Sequence, residues 1–219
     1  VSLFVTGTDT GVGKTQIARL LIEALRNQGI DAVGYKPVAC GDREDARILS
    51  EASGGLDLDL VNPVHLQSPV SPQVASMLEN RTIDIQIMID GFHALRRMHE
   101  VVIVEGAGGW EVPLVHGLRM SDLARHLALP VLVVVANRLG ALNHAILTVD
   151  AVRAKELQCL GTVLNQLGDE LDTAMITNKS VIAEVTGAPL IEHVIHGQDV
   201  LDETVLQSLG YAPRGLRAC

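Results

Sequence analysis

The chain has 219 residues, is 47% hydrophobic and carries a formal net charge of −9, with no long Pro, Gly or Ser tract to divide it, so a single domain over residues 1–219 is expected. Its longest nearly unbroken apolar run, residues 127–136, contains Pro130 and reaches about half of the ~20 residues that a membrane-spanning helix needs. Basic residues never run longer than the pair Arg96 and Arg97, which excludes a nucleic-acid or anionic-membrane surface and favours a small diffusible partner.

No basic segment precedes an apolar stretch at the start, so export is not expected, and a chain beginning at Val1 is expected to have lost its initiator methionine. Cys40, Cys159 and Cys219 are odd in number and widely spaced, with no CxxC or Cys/His pairing to hold zinc, which fits a reduced cytoplasm. The eight histidines show no helical i, i+4 pair, and no metal is assigned to them. Met77, Met88 and Met98 read as core filler.

Leu3, Phe4 and Val5 form a short apolar strand that enters a glycine-rich turn, Gly7, Gly11 and Gly13, closing on Lys14 and Thr15. Behind it Ile17, Leu20, Leu21, Ala24 and Leu25 recur at helical spacing, and Gly29 stops the helix. A buried strand, glycines free to adopt φ > 0 and a helix N-terminus are what a phosphate-binding loop requires. Lys14 would reach the β- and γ-phosphates, and the Thr15 hydroxyl would hold a Mg²⁺ bridging them. The strict pattern wants glycine at position 8; Thr8 stands there, and the glycine comes one residue earlier.

Residues 31–35 read as a second strand ending in Gly34, Tyr35, Lys36 and Pro37. Ligands of open α/β sheets collect beyond the carboxyl ends of strands, so Lys36 would face the same crevice as the loop; the plainer alternative is a surface lysine. Acidic residues 42–45 open a helix through Ile48 and Leu49, and Asp45 is either a helix-start charge or a Mg²⁺ ligand. Residues 54–69 read as a loop over the site with an extended piece at 61–66. Ser71 and Pro72 start a helix through Val74, Met77 and Leu78. Residues 83–98 form another, although the alternation of Ile83, Ile85, Ile87 and Ile89 is strand-like.

Residues 100–105 carry four consecutive β-branched residues, the mark of a strand buried on both faces, and end at Glu105 before Gly106, Ala107, Gly108, Gly109 and Trp110. A carboxylate at that strand end is placed for a metal-linked role, or else it solvates a loop. A strand at 129–136 leads through Gly140 and Asn143 into a helix with Ala145, Leu147 and Val152. A strand at 160–164 ends at Asn165, whose amide matches the donor–acceptor edge of adenine or simply makes a turn. A helix at 172–186, a strand at 189–194 and a helix at 200–209 complete an α/β alternation. The fold expected is an open, mostly parallel sheet flanked by helices, of P-loop NTPase type.

The segments GTDTGVGKT, GYKPVACG, VEGAGGW, LGALNHA and VLN together resemble the dethiobiotin synthetases. The resemblance implies an ATP-dependent cyclo-ligase of biotin biosynthesis that joins CO₂ to diaminopelargonic acid and closes a ureido ring through a carbamic-phosphoric mixed anhydride. It assigns catalysis to Lys36, Lys14 and Thr10, with Thr15, Asp45 and Glu105 holding Mg²⁺. Nucleotide contacts fall to Gly11, Val12, Gly13, Lys14, Thr15, Gln16, Asp45, Glu105, Gly106, Ala107, Gly108, Asn165, Val194, Ile195 and His196. Substrate contacts fall to Thr10, Lys36 and Cys40 and, in a homodimer, to the helix start Gly140, Ala141, Leu142 and Asn143 of a second protomer. Cys40 stands where a small hydroxyl residue is expected, Gly11 where some relatives carry an acid, and Val194, Ile195 and His196 where a proline is expected. Competing readings are an amide-forming ligase of cofactor synthesis and a regulatory P-loop switch. Members of the latter class carry a second lysine at the loop's start, where this chain has Asp9.

Overall fold

The computed structural model describes residues 1–212. In chain order the elements are β1 (Leu3–Gly7), α1 (Lys14–Asn27), β2 (Ala32–Tyr35), β3 (Val38–Cys40), α2 (Glu44–Ala52), α3 (Leu58–Val61), β4 (Val64–Leu66), α4 (Pro72–Leu78) and α5 (Ile85–Met98). There follow β5 (Val101–Glu105), β6 (Pro113–Val115), β7 (Leu118–Arg119), α6 (Met120–Leu127), β8 (Val131–Ala136), α7 (Ala141–Ala154), β9 (Cys159–Asn165), α8 (Thr173–Thr186), β10 (Leu190–Val194) and α9 (Glu203–Ser208).

Six strands make the central sheet in the order β10-β9-β8-β1-β5-β2, and every pairing in it is parallel. Side chains alternate across it. Leu3, Val5, Val101 and Ile103 pack with Ile17, Leu21 and Leu25 of α1 on one face, whereas Phe4, Val102 and Val104 pack with Phe92 of α5, Leu123 of α6 and Val149 of α7 on the other. Burying both faces is what makes these strands read as continuous apolar runs. The chain leaves β1 for the edge strand β2, returns through β5, and then crosses to β8 on the far side of β1. The carboxyl end of β1 is therefore the topological switch point of the sheet, where a crevice opens and ligands bind.

The expected alternation is present, with corrections. Residues 54–69 are not all loop: α3 lies inside them and ends at Val61, so the extended piece is only β4, which pairs in parallel with the unexpected β3. The hairpin β6–β7 and helix α6 had no counterpart in the expected elements. Residues 85–98 are helical despite the isoleucine alternation, because Met88, Phe92 and Leu95 form the buried stripe and the Asp84 side chain caps the start by accepting from Gln86 N–H at 2.8 Å. Met88 is core, but Met77 and Met98 are 73% and 61% exposed and fill nothing. Among the described residues no helix is long and apolar enough to cross a membrane. Cys219 lies outside the described residues.

Candidate nucleotide and metal site

The turn between β1 and α1 is shaped by glycines in two different ways. Gly11 and Gly13 sit at φ of 72° and 90°, in the left-handed region. Gly7, expected to share that role, does not: a Cβ there would lie 2.6 Å from Val12 Cγ2 and 2.9 Å from the Asp9 carbonyl oxygen, so close packing of the loop on itself excludes a side chain. At Gly13 both constraints coincide, since a Cβ would come within 2.0 Å of Asn165 Nδ2. The variant Gly13→Ala is therefore expected to lose at least the ~1–2 kcal/mol of left-handed strain and, by displacing Asn165, to weaken nucleotide binding. Thermal melting and calorimetry with ATP check this; wild-type values in both would mean that the loop does not have this shape.

Lys14 opens α1, is 6% exposed, and curls back so that Nζ donates to the Asp9 carbonyl at 3.1 Å. Burial first, and the neighbouring Lys36 charge second, hold its pKa down to about 8 against the opposing pull of Glu105, Asp45 and Asp9. Thr15, one residue on, lies 2.8 Å from Asp45 Oδ1 and 2.9 Å from Glu105 Oε1, and its single hydroxyl hydrogen serves one carboxylate at a time. Asp45 comes from the first turn of α2 and Glu105 from the end of β5.

Lys36 closes the cluster. It follows β2, whose register pairs Tyr35 with Val104, so that Lys36 runs alongside Glu105. Its ammonium lies 2.7 Å from Asp45 Oδ2, 2.6 Å from Glu105 Oε1 and 3.5 Å from the Gly106 carbonyl oxygen. Burial alone would lower the Lys36 pKa, but the two carboxylates outweigh it and raise it. Burial likewise pushes Asp45 up, and Lys36 more than reverses this, leaving the carboxyl below its ordinary range.

The donor set suits Mg²⁺. Two carboxylates and a hydroxyl converge, hard oxygen donors of the kind that hold this ion while water and phosphate complete its shell. Among the described residues no group of three or more acidic, His or Cys side chains forms an all-protein cage, which Mg²⁺ does not need. Glu105 is fully buried, and its Oε2 has no hydrogen-bond partner, an acceptor a cation or its water would satisfy.

On the nucleotide side, Asn165 ends β9 fully buried. Its Nδ2 donates to the Val12 carbonyl at 3.0 Å and faces Gln16 Oε1 at 3.5 Å, which fixes the amide so that Oδ1 is left as a buried acceptor without a partner. That vacancy in its hydrogen bonding matches an exocyclic amino group such as adenine's. Val194 ends β10 with its side chain in the core and its carbonyl accepting from Gln166 N–H at 2.9 Å. Ile195 and His196 follow on the surface, with Ile195 N–H donating to Gln198 Oε1 at 3.1 Å.

A cleft of about 440 Å³ opens beside the cluster, lined by Thr10, Lys36, Cys40, Asp45, Ala107 and Gly108 together with Ala39, Asp42, Val112 and residues 69–72. Burial first, then the Glu79 charge, raises the Cys40 pKa to about 11, so its thiol stays protonated and meets a ligand as a neutral, weak donor. Pro69 ends the stretch expected to cover the site and does line the cleft, but residues 70–72 were not among the expected contacts; Ser71 and Pro72 were legible as a helix start, and nothing local showed that α4 would return to this cleft. Gly106 gives its N–H to the Val5 carbonyl at 3.0 Å, tying the turn after β5 to β1. Trp110, the last residue of VEGAGGW, does not line this cleft: it is 3% exposed and meets Phe4 edge-on, ring centroids 6.2 Å apart. Gly140, Ala141, Leu142 and Asn143 do begin a helix, α7, with Gly140 at φ 91°, but they do not line this cleft within one protomer. Arg138, two residues before Gly140, lies 3.8 Å from Asp9 of the phosphate loop.

Comparison with known proteins agrees with this geometry. The solved structures similar in fold include a ParA family ATPase from Chlorobium tepidum (TM-score 0.54, 17% identity, covering 94% of this chain and 88% of that one). Another is the cell division protein MinD of Aquifex aeolicus (TM-score 0.54, 14% identity, covering 95% and 87%). These share the P-loop fold. A family profile described as an AAA domain matches residues 1–203. The ATP-dependent dethiobiotin synthetase BioD of Akkermansia muciniphila is 50% identical over 206 residues, 94% of this chain and 97% of its own length. That of Anaeromyxobacter dehalogenans is 44% identical over 189 residues, 84% and 85% of the two chains. With identity at this level spread over nearly the whole length of both proteins, the chain belongs to the ATP-dependent dethiobiotin synthetase family.

Proposed function

We propose that this chain is an ATP-dependent dethiobiotin synthetase, carboxylating diaminopelargonic acid with CO₂ and closing the ureido ring. The observation that carries the reading is the placement of a second buried lysine, Lys36, between the phosphate loop and the cleft. A substrate amine takes up CO₂ as a carbamate, whose oxygen attacks the γ-phosphorus of ATP while ADP leaves. The second amine then attacks the carbonyl of the mixed anhydride and expels phosphate. Two anions must approach one another in the first of these steps, so positive charge aimed at the oxygens in transit stabilises the transition state. Lys14 and the backbone of Gly11, Val12 and Gly13 would hold the triphosphate, with Thr10 at the junction of loop and cleft. Lys36 would face carbamate and γ-phosphoryl together. Thr15, Asp45 and Glu105 would hold Mg²⁺, which supplies charge neutralisation on the phosphates. Gln16, Gly106, Ala107, Gly108, Asn165 and the exposed turn at Ile195 and His196 complete the nucleotide side.

The test is a mass-spectrometric assay with ATP, Mg²⁺, bicarbonate and diaminopelargonic acid, and dethiobiotin formed in step with ADP is the expected result. ATP turnover that ignores the diamine would point to the regulatory P-loop class, and an open-chain amide product would point to a related amide-forming ligase.

The reading includes a homodimer. Leu139, just before α7, and Leu147, within it, are 82% and 62% exposed, and the α7 N-terminus, where Gly140 supplies no side-chain cap, suits a carboxylate. If a second protomer supplies that anion site, mixing Lys36→Gln protomers with Asn143→Asp protomers should restore activity that neither shows alone. Sedimentation of the active enzyme as a monomer would overturn this. The reading also includes a cytoplasmic location, which the odd number and wide spacing of the cysteines support.

A further inference from the structure

We propose that Lys36 is a resident counter-cation of the metal site, and that it makes divalent-metal binding conditional on a nucleotide's phosphates. This rests on the reading that Thr15, Asp45 and Glu105 are the metal ligands. Both carboxylates of that set are already engaged by one ammonium, at 2.7 Å and 2.6 Å, and the Gly106 carbonyl at 3.5 Å lies near the third donor position. Lys36 is 3% exposed, so water does little to hold its charge and the two carboxylates do most of it. Charge in the cluster is balanced: Lys14 and Lys36 against Asp45 and Glu105.

A divalent cation entering alone must take carboxylate oxygens from Lys36, strand that ammonium in a buried position, and add two charges to a neutral cluster beside Lys14. Lys36 also lines the cleft with Thr10 and Gly108, next to the phosphate loop. A triphosphate in that loop brings the negative charge toward which Lys36 can turn, releasing both carboxylates to the metal. Metal and nucleotide then strengthen each other's binding, and the coupling must be reciprocal. The free enzyme, on this account, does not collect metal and waits for the metal–nucleotide complex.

The experiment uses Mn²⁺ as the probe and water-proton relaxation as the readout, which separates protein-bound ternary complex from free metal and from free metal–nucleotide. Wild type, Lys36→Gln, Lys36→Met and Asp45→Asn are titrated as full-length protein, with and without a non-hydrolysable ATP analogue, after circular dichroism has confirmed that each is folded. Wild type should bind Mn²⁺ poorly alone and well with the analogue. Both Lys36 variants should bind Mn²⁺ alone about 10-fold more tightly than wild type, within the ~5–150-fold range of ordinary couplings. Asp45→Asn should bind poorly in both conditions. If neither Lys36 variant gains affinity for Mn²⁺ alone while Asp45→Asn still abolishes the ternary complex, the metal ligands stand and the counter-cation role is wrong. If Asp45→Asn leaves the ternary complex intact, the assignment of the metal ligands fails and the inference with it.

Discussion

Lys36→Gln should lower single-turnover formation of dethiobiotin by about 10² to 10³, roughly 2.7–4 kcal/mol of transition-state stabilisation, with a much smaller change in ATP affinity. Lys36 follows the edge strand β2, two strands from β1 rather than in the phosphate loop, and lines the cleft in which the carbamate would form. Its charge is needed most when carbamate oxygen and γ-phosphoryl close on one another; in the ground state its turn toward the triphosphate gives up two carboxylate contacts, so net phosphate binding is served chiefly by Lys14 and the loop N–H groups. Lys14→Gln should accordingly lose both affinity and rate, because its contact exists before and during the transfer. Calorimetry with ATP and quenched single-turnover assays at saturating Mg²⁺ compare the two. Since Lys36→Gln is expected to bind metal no less well than wild type, a slow reaction in that variant cannot be put down to a missing ion. Normal turnover by Lys36→Gln, or failure only through lost ATP binding, would refute the assignment.

Which parts of this arrangement were legible beforehand follows from how local their causes are. The phosphate loop was visible because strand, glycines and helix start lie within fifteen consecutive positions and each has a steric or electrostatic reason to be there. The two strand-end groups, Lys36 and Glu105, were visible singly. Their ion pair was not, since it depends on β5 inserting between β1 and β2 with Tyr35 opposite Val104, a matter of strand order that no local pattern encodes. Helix α6 was missed although Met120, Leu123, Ala124 and Leu127 recur at helical spacing; eight residues give barely two turns of pattern, directly after a hairpin turning at Gly117. The cleft wall at residues 70–72 was missed for the same reason as the ion pair: its position is set by α4 packing on β3 and β6, far away in sequence. Gly7 shows the opposite limit, where the residue was rightly singled out and the cause differed, contact with Val12 rather than a positive φ.

The two carboxylates should separate by stability while agreeing in their effect on metal. Glu105 is 0% exposed, with Oε1 taking both Lys36 and Thr15; the Asp45 side chain is 49% exposed. Glu105→Ala therefore removes the buried partner of a buried ammonium and should cost about 3–5 kcal/mol of folding stability, toward the lower end because Asp45 still holds Lys36. Asp45→Ala breaks a pair that water already screens and should cost about 0–1 kcal/mol. In both variants the dependence of turnover on Mg²⁺ should move to higher concentration, since each removes one of the converging hard donors. Denaturant unfolding measures the first contrast, with Glu105→Gln beside Glu105→Ala so that loss of charge is separated from loss of volume, and activity against Mg²⁺ concentration measures the second. Unchanged Mg²⁺ curves for both alanine variants would reject these residues as metal ligands. Equal stability losses at the two positions would instead mean that burial of Glu105 does not set the strength of its pair with Lys36, and that the ammonium draws on both carboxylates alike.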